Sequence, residues 1–199
     1  MQPTPSVTLA STTTASSDAA LAARVAHGDR QAAAMLIERH QSAIRCFLVR
    51  LTGRADLADE LAQETFLRLL RYAGHYDPAY PMRSWLLTIA RRLSINHHKH
   101  NRRQILSEDL SHLNDPDGDP APGAADRDER QHQSRRLAQA LNQLTEPQRT
   151  AILLFHQQEQ PIEAVARTME LPAGTVKSHL HRARQRLRTL LGQPMEAKP

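Results

Sequence analysis

Apolar side chains return at helical spacing along most of this chain. Leu21, Val25, Ala32, Leu36, Ile44, Phe47, Leu48 and Leu51 recur every three or four residues or multiples of that, interrupted at Gly28-Asp29 and at Thr52-Gly53. The period predicts helices on either side of Gly28-Asp29, the second ending at Thr52-Gly53. Asp56 is placed to cap a third helix, with Asp59 and Glu60 in its first turn, where the helix dipole favours anions. That helix is predicted to run to about Ala73 and to stop at Gly74 and Asp77-Pro78. Its inward face would hold Leu57, Leu61, Phe66, Leu69, Leu70 and Ala73, and its outward strip Glu60, Gln63, Glu64, Leu67 and Arg71. A fourth helix is predicted from Met82 to about His100, with Trp85, Leu86, Ile89 and Leu93 on its apolar face.

Periodicity then stops between Ser107 and Arg130, where the Asp-, Pro- and Gly-rich run 114–123 reads as a linker. It returns at about 134–143, at about 146–157 behind an opening Glu146-Pro147, and in a final helix pair. Residues 1–17 hold nine Ser/Thr, two Pro and no charge, which reads as a disordered tail, and residues 192–199 form a short C-terminal tail. The expected fold is all-α. Two small helical domains, 18–103 and 134–191, are joined by a flexible acidic linker, 104–133, and no internal repeat is visible. Such a linker of about 30 residues has a typical span of roughly 30 Å and a limit near 100 Å. It can therefore hold two DNA-binding modules several helical turns apart.

The sharpest local pattern lies at the end of the chain. Ile162, Val165 and Ala166 edge a short helix ending near Met169, and Leu171-Pro172-Ala173-Gly174 makes a turn. Val176, Leu180, Ala183, Leu187 and Leu190 then form one buried stripe. Opposite the stripe stand Ser178, His181, Arg182 and Gln185, flanked by Lys177, His179 and Arg184. A buried back and a basic, hydrogen-bonding front suit the major groove, which places a helix-turn-helix at about 162–181. Thr175 and the amides of Gly174 to Lys177 sit where a phosphate would be stabilised. The plain alternative is a basic surface helix in a small bundle. Turn, stripe and charge agree on DNA.

Charge adds a second clue. The net +5 hides three blocks: residues 18–103 carry 14 Lys/Arg against 8 Asp/Glu, 104–133 carry 2 against 8, and 134–199 carry 10 against 5. Basic, acidic, basic suggests two contacts with a polyanion. Much of the first block's excess sits in Arg91-Arg92-Leu93-Ser94-Ile95-Asn96-His97-His98-Lys99-His100-Asn101-Arg102-Arg103, with Trp85 upstream on the same helix. Cations and amides so placed can grip a single strand and pocket an unstacked base. Leu67, ringed by Gln63, Glu64 and Arg71, suits a small hot spot for a protein partner, although any amphipathic helix has an outward face.

Composition narrows the classes. An aromatic fraction of 4% and seven glycines favour helices over sheets. The single Cys46 rules out an internal disulfide framework and a cysteine zinc cage. His97, His98 and His100 point in different directions around a helix and lack a nearby Cys or carboxylate, so no metal site is expected. No cofactor is implied. No apolar run approaches the roughly 20 residues of a membrane span, and no signal peptide is visible, so a cytoplasmic protein without membrane insertion is expected. The carboxylates at 59–64 lack a His, Cys or Ser partner, which argues against an enzyme and leaves catalytic residues unassigned.

Taken together, three segments resemble one family. Asp56-x-x-Asp59-Glu60-x-x-Gln63-Glu64-x-Phe66-x-x-x-x-Arg71 is similar to the core-binding segment of region 2 in sigma-70-type transcription factors. Ser84-Trp85-Leu86-Leu87-x-Ile89-Ala90-Arg91-x-x-x-x-Asn96 resembles their promoter-melting and minus-10-reading helix. Gly174-Thr175-Val176-Lys177-Ser178-x-x-x-Arg182-Ala183-Arg184 resembles the minus-35 recognition helix of region 4. With only a short acidic connector between them, the pattern is similar to the extracytoplasmic-function (ECF) subfamily.

The resemblance implies a sigma factor that binds bacterial core RNA polymerase and promoter DNA, controlled by an anti-sigma factor. It assigns Asp59, Glu60, Gln63, Glu64, Leu67 and Arg71 to the polymerase. It assigns Trp85, Arg91, Asn96, His97, Lys99, Arg102 and Arg103 to the minus-10 element. Thr175, Lys177, Ser178, His179, His181 and Arg182 fall to the minus-35 element. Pro161 stands where the family commonly has a Ser or Thr helix cap, so the first helix of the pair is expected to begin differently. The alternative reading is a two-module helix-turn-helix regulator, which would not need the outward strip around Leu67.

Overall fold

The computed structural model describes residues 17–105 and 125–192. The expected N-terminal tail up to residue 16, the central linker run 106–124 and the C-terminal tail from 193 lie outside the described residues. Eight α-helices and no strands are present among the described residues: α1 (Asp18–Ala26), α2 (Arg30–Thr52), α3 (Ala55–Tyr72), α4 (Met82–Ile105), α5 (Ala125–Asn142), α6 (Glu146–Ile152), α7 (Ile162–Met169) and α8 (Ala173–Leu191). A 3₁₀ turn (Ala73–His75) follows α3, and a π-helical turn (Leu153–Gln157) continues α6.

Local chemistry sets most of the boundaries. Ser17 caps α1, its Oγ accepting from the Ala20 amide at 3.2 Å. Asp29 caps α2, accepting from the amides of Gln31 and Ala32 at 2.9 and 3.0 Å. Gly53 ends α2 at φ 74°, the left-handed conformation in which a Cβ is costly, and its amide reaches back to the Val49 carbonyl at 2.9 Å. Thr145 precedes α6, and its amide donates to Gln148 Oε1 at 3.3 Å in a capping box.

Four expectations about elements change. Asp56 does not cap α3: the helix begins at Ala55, and Asp56 instead pairs with Arg54 at 2.5 Å. Leu70, expected inside, is 41% exposed. The α3 stripe is narrower than the apolar pattern because Ala62 and Thr65 share the buried face. On α4 the fully buried side chains are Met82, Leu86, Leu87 and Ala90, with Trp85 and Ile89 only half-buried. The chain also turns helical at Ala125, nine residues before the periodicity returns. Residues 125–135 contain no Pro or Gly and hold three Arg and two Gln, with Asp126, Asp128 and Glu129 near the start, so they propagate a helix without an apolar stripe.

Helices α1–α4 pack around Leu21, Leu36, Ile44, Phe47, Leu48, Leu69, Leu86 and Leu87, all inaccessible to solvent. Each such side chain contributes about 1.5–3 kcal/mol by leaving water. Helices α5–α8 close around Leu154, Val165, Val176, Ala183 and Leu187. The two groups do not stand apart. Helix α4 lies against α7, and α2 against α5, α6 and the π turn, so both sets of buried side chains join one apolar cluster.

Candidate nucleic-acid interface

The α7–α8 pair is built as the turn pattern requires. Pro161 offers no side-chain cap, and its carbonyl instead receives the amides of Ala164 and Val165 at 2.9 and 3.0 Å. Glu170 then ends α7 in the left-handed conformation, φ 57°, with the Leu171 amide closing onto Ala166 O at 3.0 Å. A non-glycine left-handed residue at this place was not foreseen from sequence, where Pro172 alone is visible as the stop. Helix α8 starts at Ala173, so the amides of Thr175 and Val176 already bond to Pro172 O. The free amides at this terminus therefore sit nearer Ala173 than the expected stretch to Lys177.

Val176, Leu180, Ala183 and Leu187 are buried, which turns Lys177, Ser178, His181, Arg182 and Gln185 outward, all exposed. Thr175 and His179 are half-buried, and Ser178 Oγ donates back to Gly174 O at 3.1 Å. Arg184 departs from the outward set. Its guanidinium lies over the Phe155 ring at 5.4 Å and near His156 Nε2 at 3.2 Å, bracing the helix within its own module.

On α3, Glu60, Gln63, Leu67 and Arg71 are exposed and Glu64 is half-buried. Asp59 is exposed but bonded to Arg45 of α2 at 2.6 Å, and Glu64 accepts from Arg68 at 2.9 Å. Leu67 and Leu70 are 49% and 41% exposed one turn apart, so the strip carries two neighbouring apolar side chains rather than the single one expected. The two leucines, framed by polar groups, are open to solvent on the outward side of α3.

Helix α4 separates its predicted residues. Asn96 and Lys99 are exposed and His97 is half-buried, its ring stacked edge-on against His98 at 6.3 Å. Partial desolvation, with the His97 ring and the Arg149 guanidinium adding to it, holds the His98 imidazole below its ordinary range. Arg102 and Arg103 lie on the last turn, where only the backbone is described. Trp85 packs on Tyr76 at 5.5 Å, eleven residues from Asn96 and so about 16 Å along the helix. Arg91 is buried, donating to Met169 O of α7 at 3.2 Å. Its neighbour Arg92 pairs with Glu170. Asn96 and Lys99 thus stand exposed near the end of α4, with His97 half-buried between them, while Arg91 turns toward the second module.

Among the described residues no group of three or more His, Cys, Asp or Glu side chains comes together to hold a metal, and no helix is long and apolar enough to cross a membrane.

Comparison with known proteins agrees with this layout. The sigma-70 region 2 model matches residues 36–104, and the sigma-70 region 4 model matches residues 134–187. The ECF RNA polymerase sigma factor EcfG of Rhodopseudomonas palustris is 32% identical over 148 residues, 74% of this chain and 78% of that protein. The RNA polymerase sigma factor CarQ of Myxococcus xanthus is 31% identical over 173 residues, 85% of this chain and 95% of the relative. Among solved structures, the sigma factor RpoE of Bartonella quintana, in complex with the anti-sigma factor NepR, has a TM-score of 0.70 at 26% identity, covering 80% of this chain and 96% of that one. CnrH, in complex with the cytosolic domain of CnrY, shares the fold at a TM-score of 0.63, 22% identity and coverage of 89% and 99%. With regions 2 and 4 present in order and relatives matched over most of their length, this chain belongs to the sigma-70 family, within its ECF subfamily.

Proposed function

We propose that this ECF sigma factor binds core RNA polymerase through the exposed strip of α3 and selects promoters with two DNA-reading surfaces. The observation that carries this reading is the outward face of α8, where Lys177, Ser178, His181 and Arg182 are all exposed above a buried stripe. That face fits the major groove at the minus-35 element, with Thr175 and His179 at its margin. Asn96, His97 and Lys99 on α4, followed by Arg102 and Arg103, take the minus-10 strand, with Trp85 bracing the helix from below. Arg91 joins them only if α4 is freed from the second module. Asp59, Glu60, Gln63, Glu64, Leu67 and Arg71 meet the polymerase. Residues 18–103 and 134–191 act as the two working modules, with 104–133 as their connector.

The protein has no catalytic step of its own and works in the cytoplasm, beside the polymerase. Control by an anti-sigma factor is carried over from the Bartonella quintana relative, whose solved form is such a complex. Reconstituted transcription tests the reading: core polymerase with this protein on a promoter library should give transcripts that core alone does not. No promoter activated above core alone would overturn it.

A further inference from the structure

Both helices assigned to DNA set an open imidazole close to an exposed lysine. On α4, Asn96 and His100 are four residues apart and so share a face, with Lys99 beside them, and all three are exposed. On α8, Lys177 and His181 stand in the same four-residue relation, exposed opposite the buried stripe. Neither helix contains an acidic residue. Among the described residues, neither His100 nor His181 is engaged in a hydrogen bond or an ion pair. Their neighbours are placed differently. His97 and His179 are half-buried, each with its Nδ1 shut off from solvent. His98 lies beside Arg149 and Glu146 of α6, and partial desolvation, His97 and Arg149 keep it neutral to lower pH.

The other charged groups packed around these helices leave both imidazoles open. Glu170, past α7, is held by Arg92, and His40 of α2 faces Arg83 at the opposite end of α4. Neither α2 nor α3 forms an ion pair with α4 among the described residues. Around α8, Arg136 of α5 reaches Leu191 O at the far end, His156 holds Arg184, and Arg167 of α7 lies over the Tyr80 ring. Glu163 of α7 is exposed and forms no ion pair among the described residues.

Imidazole is the side chain whose charge changes between about pH 5 and about pH 8. Protonated, it donates from both nitrogens and can hold a phosphate oxygen by a charge-assisted hydrogen bond; neutral, it has one donor and no charge. A phosphate brought against it favours the protonated form, so binding takes up a proton and tightens as the pH falls. Resting on the proposed assignment of α4 to the single strand and α8 to the duplex, we propose that His100 and His181 are proton-dependent phosphate contacts, one on each DNA-reading surface. His100 thereby joins the minus-10 surface, and promoter DNA is held more tightly in mild acid.

The test uses the full-length protein and fluorescence anisotropy with two rhodamine-labelled probes, a random-sequence 20-nucleotide single strand and its duplex. From about pH 8 to about pH 6 the parent should bind each probe about fivefold more tightly. Its salt slope should steepen by about 0.7 on the single strand and about 0.9 on the duplex, one phosphate contact each. His100→Gln should remove most of the gain on the single strand and leave the duplex gain intact, and His181→Gln should do the reverse. His100→Arg and His181→Arg should each hold their own probe at the tight level at both pH values. His27→Gln, at an exposed imidazole closing α1, should alter neither gain. A parent without a gain, a Gln substitution that keeps the gain on its own probe, or an equal loss in His27→Gln would overturn the proposal. The substitutions to Arg separate this from the assignment beneath it. If neither tightens its probe at about pH 8, α4 and α8 are not the DNA surfaces and both readings fall. If they tighten while the Gln substitutions keep the gain, the proton link alone falls.

Discussion

At the residue scale, two side chains show how burial decides what a group does. Arg182 stands exposed above the α8 stripe, so its guanidinium is available for a bidentate contact with guanine. Arg182→Ala should weaken binding to the cognate minus-35 duplex by about 1–3 kcal/mol and leave binding to unrelated duplex little changed. An equal loss on every sequence, measured by competition binding, would make it a phosphate contact instead. His40 shows the reverse case. It is buried in α2 with Nε2 3.0 Å from Asp18 Oδ2, and burial pushes its imidazole below the usual histidine range although Asp18 pulls the other way and Arg39 and Arg83 add to the depression. A depressed folded-state pKa means that the unfolded chain takes up the proton first. Stability should therefore be at its full value above about pH 6.5 and fall as the pH drops below it. Thermal melts between pH 7.5 and 5.5 should show that loss, and His40→Gln should flatten it. An unchanged slope in the variant would assign the loss to other groups.

At the scale of elements, α3 and α8 were largely legible in the sequence because one period governs each of them. A stripe at spacings of three and four names the buried face, and everything opposite it is then outward. What the stripe hides is its own width. Leu70 reads as core by type but stands exposed beside Leu67, because small residues, Ala62 and Thr65, take the space under α3. Likewise, α5 begins well before any apolar period, and the π turn at Leu153–Gln157 has no marker in composition. The exposed pair gives α3 a sharper expectation than a single leucine did. Leu67→Asp should reduce affinity for core polymerase by about tenfold or more while duplex DNA binding by the same full-length protein is retained. Unchanged polymerase affinity in a binding titration would move the contact off this strip.

At the scale of the molecule, the decisive contacts join residues too far apart in sequence for any periodic signal to pair them. Arg149 is the main one. Its guanidinium donates to Leu51 O at 2.7 Å, at the end of α2, and to Asn142 O, the last residue of α5, and Leu144 O, just beyond it, at 2.9 and 3.2 Å. One cation thus satisfies carbonyls at the ends of helices from both halves, where their dipoles favour positive charge. Burial lowers its pKa, with Glu146 opposing that shift, yet an arginine stays charged. Because the guanidinium spans the junction, it should couple the melting of the two halves, and the shared apolar cluster should make the native protein unfold in one calorimetric transition. Arg149→Met keeps the apolar stem but leaves three carbonyls without their donor. The expected loss is about 2–4 kcal/mol, or roughly 4–16 °C in Tm for a chain of this size. If the coupling runs through this residue, the variant should also split the endotherm in two, because either half can then hydrate its freed carbonyls by parting from the other. A single transition within about 2 °C of the parent would show that the apolar contacts alone hold the halves together. In that case Glu146 and Glu170, which face Arg91 and Arg92 of α4, rather than this cation, would be the place to loosen the junction.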